Sequence, residues 1–377
     1  MKHAGFDSGL RELAGQGRLR SLRARAGIDF TSNDYLGLAE SGELRQAALD
    51  AIARGVPVGS GGSRLLRGNH PEHEALESEA AAYFGAETAL YFGGGYVANF
   101  AIFSTLPQRG DLIVHDALVH ASVHEGMQRG RADFVSVPHN SVDAFDAAIV
   151  RWRATGGTGR PWLSVESLYS MDGDRPNLAE LFGVADRHDA MVVIDEAHAT
   201  GVLGPQGRGL AAAFEGRDSV ITLHTCGKAL GTVGGFILAP KIIRDFLVNR
   251  CRPFIFATAP SPLVAAITRV ALEISRTNPA RRERLAGLVA FAGNELRKRC
   301  NIEPSGSQIL PVIIGADQAA VDLASALQRD GFDIRAIRPP TVPEGTARLR
   351  IALTLNVDEA IVTDLFDALA ENLRKAA

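Results

Sequence analysis

Between about residues 86 and 240 the chain repeats one pattern. A short apolar or β-branched run is followed by a helix-like stretch, and the next run begins roughly 20–30 residues further on. The runs are Thr88–Phe92, Asp111–His115, Asp133–Val137, Trp162–Val165, Met191–Asp195, Val220–His224 and Gly235–Leu238. This is the spacing of βαβ units, and it implies a mainly parallel sheet with helices on its faces, an α/β fold. Gly234-Gly235 permits an abrupt strand entry, so the last run can be an antiparallel neighbour. In such sheets ligands gather beyond the carboxyl ends of the strands. Gly93–Tyr96, Asp195, His198 and Lys228 all fall at those ends, which is compatible with one shared site.

After Pro260-Ser261-Pro262 the pattern changes. A helical stretch over Leu263–Cys300 precedes a strand at Ile309–Ile314, a helix near Ala319–Gln328 and a strand-like run at Arg348–Thr354. Ile361, Leu365, Leu369 and Leu373 fall four apart, one stripe of a closing helix, with Asn356 and Glu359 read as its N-terminal cap. The expected organisation is an N-terminal arm over 1–45, a large domain over 46–262 and a smaller α+β domain over 263–377.

Composition excludes several function classes. Hydrophobic residues make up 46% and charged residues 22% of 377, the balance of an ordinary soluble globular protein. A net charge of −3 argues against nucleic acid as the main partner, and the cluster Arg18, Arg20, Arg23 and Arg25 reads as a solvated face. No apolar run approaches the ~20 residues of a membrane helix, and the opening MKHAGFDSGLREL lacks a signal-like apolar stretch. A cytoplasmic location without membrane contact is the expectation. Cys226, Cys251 and Cys300 are odd in number and widely spaced, which argues against a disulfide scaffold or a zinc ribbon.

Only five lysines are present: Lys2, Lys228, Lys241, Lys298 and Lys375. Lys228 stands in HTCGKALGTVGG, with no Asp, Glu or Arg within nine residues on either side. A chain that otherwise uses arginine has placed one lysine among glycines and small residues. That placement asks for a chemical reason.

Gly93-Gly94-Gly95-Tyr96 can be a plain turn, or a turn that leaves backbone N–H groups free at a helix N-terminus for an anion. Ile194–His198, IDEAH, admits a magnesium NTPase reading, but that needs G-x-x-x-x-G-K-[ST]. Around Gly227-Lys228, position 222 is Thr and position 229 is Ala, so the phosphate loop is missing. His120 and His124 stand four apart without HExxH, which does not make a metal site. What survives is an isolated lysine, an Asp at a strand end, a glycine turn and nearby hydroxyls. Pyridoxal phosphate requires these parts: a Schiff-base lysine, a carboxylate on its pyridine nitrogen and a phosphate cradle. A surface lysine at 228 and a helix-capping Asp195 are the plain readings beside it.

Seven blocks then extend the pattern: SNDYLGL (Ser32–Leu38), GSGGSRLLRGNHPEHEALE (Gly59–Glu77), HASVHEG (His120–Gly126), SMDGD (Ser170–Asp174), DEAHATGVLGPQGRG (Asp195–Gly209), TCGKALG (Thr225–Gly231) and IRPPTVPEGTARLRIALT (Ile337–Thr354). In this order they resemble the α-oxoamine synthase family of fold-type I pyridoxal-phosphate enzymes. The resemblance implies a Schiff base at Lys228, which also moves protons, and Asp195 on the pyridine nitrogen. It implies His120 on the ring face, His198 and Ser170 on the ring-hydroxyl side, and Gly95, Tyr96 and Thr225 at the phosphate. Asn33 and Arg350 would hold the amino-acid carboxylate, and Arg20 and Thr341 would meet the acyl substrate. Thr258 would reach the phosphate of a partner subunit, which implies a homodimer. The RPPTVP segment is most similar to the biotin-pathway branch. That branch implies decarboxylating condensation of L-alanine with pimeloyl-CoA or a pimeloyl-acyl carrier protein, against glycine or serine with another acyl-CoA. Tyr96 and Arg67 depart from the family pattern, where Phe and a small residue are common.

Overall fold

The computed structural model describes residues 3–376. From the N-terminus it runs α1 (Ala4–Gly15), β1 (Ile28–Asp29), α2 (Gly42–Ala53), α3 (Pro71–Phe84), β2 (Thr88–Phe92) and α4 (Gly95–Thr105). There follow β3 (Leu112–Asp116), α5 (Ala121–Arg129), β4 (Asp133–Val137), α6 (Val142–Ala154), β5 (Pro161–Glu166), α7 (Leu178–His188) and β6 (Met191–Asp195). Next come β7 (Val220–Thr225), β8 (Gly235–Ala239), α8 (Lys241–Arg250), α9 (Arg252–Ile255), α10 (Pro262–Thr277) and α11 (Pro279–Cys300). The chain closes with β9 (Ile309–Gly315), α12 (Asp317–Arg329), β10 (Phe332–Asp333), β11 (Ala336–Ile337), β12 (Ala347–Ala352) and α13 (Glu359–Ala376).

Residues 36–170 and 175–282 form one compact unit and the other described residues form a second. The boundaries thus fall at 35/36 and 282/283 rather than at 45/46 and 262/263. Two packing facts account for this. Helix α10 lies on α2 and α3 of the first unit, burying Ala265, Ala266, Ala271 and Leu272. The arm, through β1, pairs in parallel with β10 of the second.

The first unit holds a seven-stranded sheet in the order β2-β8-β7-β6-β5-β3-β4. The pairs β4–β3, β3–β5, β5–β6 and β6–β7 are parallel. Strand β8 is antiparallel to both β7 and β2, the orientation allowed by the Gly234-Gly235 entry. Both faces of the inner strands are covered, which is why they read as mainly apolar runs, whereas the edge strand β4 is largely exposed. Trp162, Val193, Ile221 and Leu223 pack on one side with Phe103 of α4 and Val123 of α5. Leu163, Val192, Ile194 and Val220 pack on the other with Ile149 of α6 and Leu181 of α7.

The second unit carries a three-stranded antiparallel sheet, β11-β12-β9. The helical stretch 263–300 is divided at Asn278, because Pro279 lacks an N–H and drives the preceding residue out of helical geometry. The cap of α13 is Asp358, whose Oδ1 accepts the Ile361 N–H at 3.0 Å, and not Asn356. Asn356 instead donates to Asp34 at 3.2 Å.

Candidate active site

Strand β6 ends at Asp195, on the sheet face that carries Met191 and Val193. Helix α4 covers that face, and its Asn99 donates from Nδ2 to Asp195 Oδ2 at 2.7 Å. The Ala197 N–H donates to Oδ1 at 2.8 Å. One oxygen of Asp195 thus ties the turn that follows β6, where the plain reading expected a helix cap, and the other is held by Asn99. Sequence reasoning missed Asn99; its position one helical turn after Gly95 was the available signal.

Lys228 follows β7 in the loop that begins at Cys226. Its Nζ lies 2.7 Å from Nε2 of His198, which is buried three residues beyond Asp195. His120 caps α5, accepting the Ser122 N–H on Nδ1 at 3.3 Å. Its ring stands edge-on to Tyr96 with centroids 6.1 Å apart. His120 is exposed as a residue, yet desolvation by the surrounding protein holds its pKa below the ordinary histidine value. Asp195 pulls that value up, while Lys228 and His124 push it down.

The glycine turn sits beside this group. Helix α4 opens at Gly95 with no side chain capping its N-terminus. A Cβ on Gly95 would lie 3.3 Å from Thr225 Oγ1, and one on Gly235 would come within 3.0 Å of the Gly95 backbone. The close approach of β8 and the loop before α4 thus requires glycine. Thr225 Oγ1 donates to the Gly234 carbonyl at 3.2 Å, and Tyr96 is about half exposed.

Glu166 was also missed, although it repeats the signal of Asp195: an acid closing an apolar strand. It is the register partner of Asp195 across β5–β6 and is 2% exposed. Its Oε2 accepts the Ser170 N–H at 2.9 Å, which is how the buried Ser170 joins the group. Burial, with the neighbouring Asp195, pushes the Glu166 carboxyl up to about 8.

In the second unit Arg350 is buried on β12. Its Nη2 donates to Asn33 Oδ1 at 3.0 Å and to the Tyr35 hydroxyl at 3.3 Å. The Tyr35 hydroxyl donates to the same Asn33 oxygen at 3.0 Å, making Tyr35 a third member that sequence reasoning did not single out. Arg20 is exposed on the wall of a cleft of about 700 Å³, with Arg23, Arg335, Arg338 and Gln328. Burial, together with Arg20 and Arg23 nearby, holds the Arg338 guanidinium below its usual range. Thr341 is exposed, its N–H bonded to the Arg338 carbonyl at 3.0 Å. In the first unit Thr258 is exposed between α9 and α10, and Arg67 is exposed as well.

The family model for aminotransferase class I and II matches residues 25–369. An 8-amino-7-oxononanoate synthase of Anaeromyxobacter dehalogenans is 42% identical over 357 residues, covering 94% of this chain and 88% of that protein. Serine palmitoyltransferase from S. paucimobilis, solved with PLP and myriocin bound, superposes with a TM-score of 0.89 at 28% identity, over 99% of this chain and 98% of that one. An 8-amino-7-oxononanoate synthase from Francisella tularensis superposes with a TM-score of 0.76 at 25% identity, over 93% and 98%. No helix among the described residues is long and apolar enough to cross a membrane.

Proposed function

Because the chain belongs to the class I and II aminotransferase family, we propose that it is a pyridoxal-phosphate-dependent acyltransferase of the 8-amino-7-oxononanoate synthase type. It would condense L-alanine with a pimeloyl thioester, of CoA or of acyl carrier protein, and release carbon dioxide. The observation that carries the reading is the Lys228–His198 contact of 2.7 Å beside the doubly anchored Asp195.

The residues fit the cofactor. An uncapped helix N-terminus at Gly95, with the Thr225 hydroxyl beside it, suits a phosphate. Asp195 accepts N–H donors on both oxygens, as a carboxylate partner of a protonated ring nitrogen must be held. Tyr96 and His120 would line the same group, and His198 and Ser170 its hydroxyl side. Pyridoxal phosphate, when bound, supplies an electron sink for a carbanion at the amino-acid α-carbon.

The remaining work belongs to the chain's own side chains. Lys228 Nζ would take the α-proton of alanine and later return one, with His198 fixing the position of the amine. Arg350, held by Asn33 and Tyr35, would offer its fork to the alanine carboxylate. The arginines around Arg20 favour an acyl chain with an anionic end, and Thr341 stands on the turn beyond Arg338. Thr258 would serve the partner's cofactor in a homodimer.

The deciding experiment crosses alanine, glycine and serine with acetyl-, pimeloyl- and palmitoyl-CoA and measures free thiol. Alanine with pimeloyl-CoA should release it fastest. Preference for glycine with acetyl-CoA, or for serine with palmitoyl-CoA, would replace this reading by another member of the family.

A further inference from the structure

Strands β5 and β6 end side by side, and each ends in an acid. Glu166 and Asp195 are register partners on the same face of the sheet, both almost fully buried. Their hydrogen bonds differ. Asp195 accepts N–H donors on both oxygens, from Asn99 and Ala197. Glu166 accepts one, from Ser170 on Oε2, while its Oε1 is buried without a partner among the described residues. A buried anionic oxygen lacking any donor costs far more than a neutral hydroxyl in the same place. We propose that Glu166 is a positioning residue held as the neutral acid, so that of the two neighbouring carboxyl groups Asp195 alone carries negative charge.

The surroundings favour that division. Asp195 on β6 and Asp116 at the end of β3 both oppose a charge on Glu166, and Lys228 beyond β7 favours one. Asp116 is already committed to His139 and to the Leu118 and Asn140 N–H groups. Burial outweighs Lys228, and the carboxyl sits well above the usual glutamate range. The consequence rests on the function proposed above. A second anion at Glu166 would compete with Asp195 for the positive groups of the site, Lys228 among them. A neutral Glu166 leaves one defined anion for the ring nitrogen and lets the amine of Lys228 act as a base.

The test compares the full chain with Glu166→Gln, which mimics the neutral acid, and Glu166→Ala. Unfolding of the cofactor-free proteins is followed in urea from pH 5 to 9. A carboxyl whose folded pKa is raised adds stability at low pH and loses it as pH rises toward the folded value. The advantage of wild type over Glu166→Gln should therefore shrink as pH rises toward about 8 and then level off. A difference independent of pH overturns the proposal. Equilibrium dialysis of pyridoxal phosphate at pH 7 should give Glu166→Gln within about threefold of wild type and Glu166→Ala markedly weaker; equal losses overturn it too. If Glu166→Gln does not fold, an infrared pH titration of wild type decides the matter through loss of one protonated-carboxyl band near pH 8. A wild-type chain that fails to bind pyridoxal phosphate would instead refute the proposed function, and the unfolding series would still report the state of Glu166.

Discussion

The amine of Lys228 and Nε2 of His198 stand 2.7 Å apart, a distance at which one nitrogen donates and the other accepts. A charged lysine requires a neutral His198 acceptor, and a neutral lysine can accept from a protonated Nε2. The pair would therefore exchange roles if the amine lost and regained a proton, as the proposed function requires.

Removing His198 tests that exchange. A hydrogen bond to a charged group contributes about 1.5–3 kcal/mol, so His198→Ala should slow α-deuterium exchange of alanine by about ten- to a hundredfold. Lys228→Ala should abolish that exchange and the borohydride-fixed cofactor together. The measurement is proton NMR of alanine in deuterated buffer. Unchanged exchange in His198→Ala would show that the contact is structural.

Asn99 carries the second expectation. It is the side-chain donor that fixes Asp195 Oδ2, and its loss leaves a buried carboxyl oxygen without that partner, at a cost of about 1–3 kcal/mol. Asn99→Ala should weaken pyridoxal-phosphate binding by about five- to tenfold. Asn99→Asp should weaken it further, since it sets another acid beside Asp195 and Glu166. Equilibrium dialysis reads both, and melting temperatures show whether the fold has suffered.

These residues show what was legible in the sequence and what was not. Six of the seven strands were readable because burial makes each one a mainly apolar run, the exposed edge strand β4 being marked instead by its β-branched and aromatic residues, and only strand ends moved by a residue or so. Asp195, His198 and Lys228 were readable because parallel strands deliver their carboxyl ends to one edge. Asn99, Tyr35 and Glu166 were not. Their roles lie chiefly in hydrogen bonds to residues 96 and 315 positions away and in a cross-strand register, none of which leaves a local pattern. The unit boundaries were misplaced for a similar reason. The Pro260–Pro262 break marks only a cap and first turn, Ser261 holding the Val264 N–H, while packing keeps α10 with the large unit.

Asp116 sets a pH dependence of opposite sign to that of Glu166. Burial acts to raise its pKa, but hydrogen bonds from His139, Leu118 and Asn140 outweigh it and hold the carboxyl below the usual aspartate range. A depressed folded pKa adds stability above the unfolded value, about 3.9, and loses it as pH falls through the folded one. Asp116→Asn should therefore lower stability at pH 7 by about 1–3 kcal/mol. The gap to wild type should close below pH 4 in urea unfolding. A gap that persists there would mean that packing, and not charge, anchors the loop.

The cleft of the second unit offers the last test, on substrate choice. Arg338 is held below the usual arginine range by burial and by Arg20 and Arg23, although Asp317 acts against them. Arg338 does donate to the Gly17 carbonyl, and Arg23 to Gln328 at 3.1 Å, but both acceptors are neutral. A terminal carboxylate on the acyl chain would relieve that repulsion, whereas a methyl terminus would not. A site built for a charged end discriminates strongly against the analogue lacking it. Arg20→Gln should therefore raise KM for pimeloyl-CoA by about tenfold and leave KM for heptanoyl-CoA, of equal chain length, nearly unchanged. Steady-state kinetics with the two thioesters at saturating alanine measures the split. Parallel losses on both would assign Arg20 to the thiol carrier or to the fold, and the acyl terminus would have to be read elsewhere.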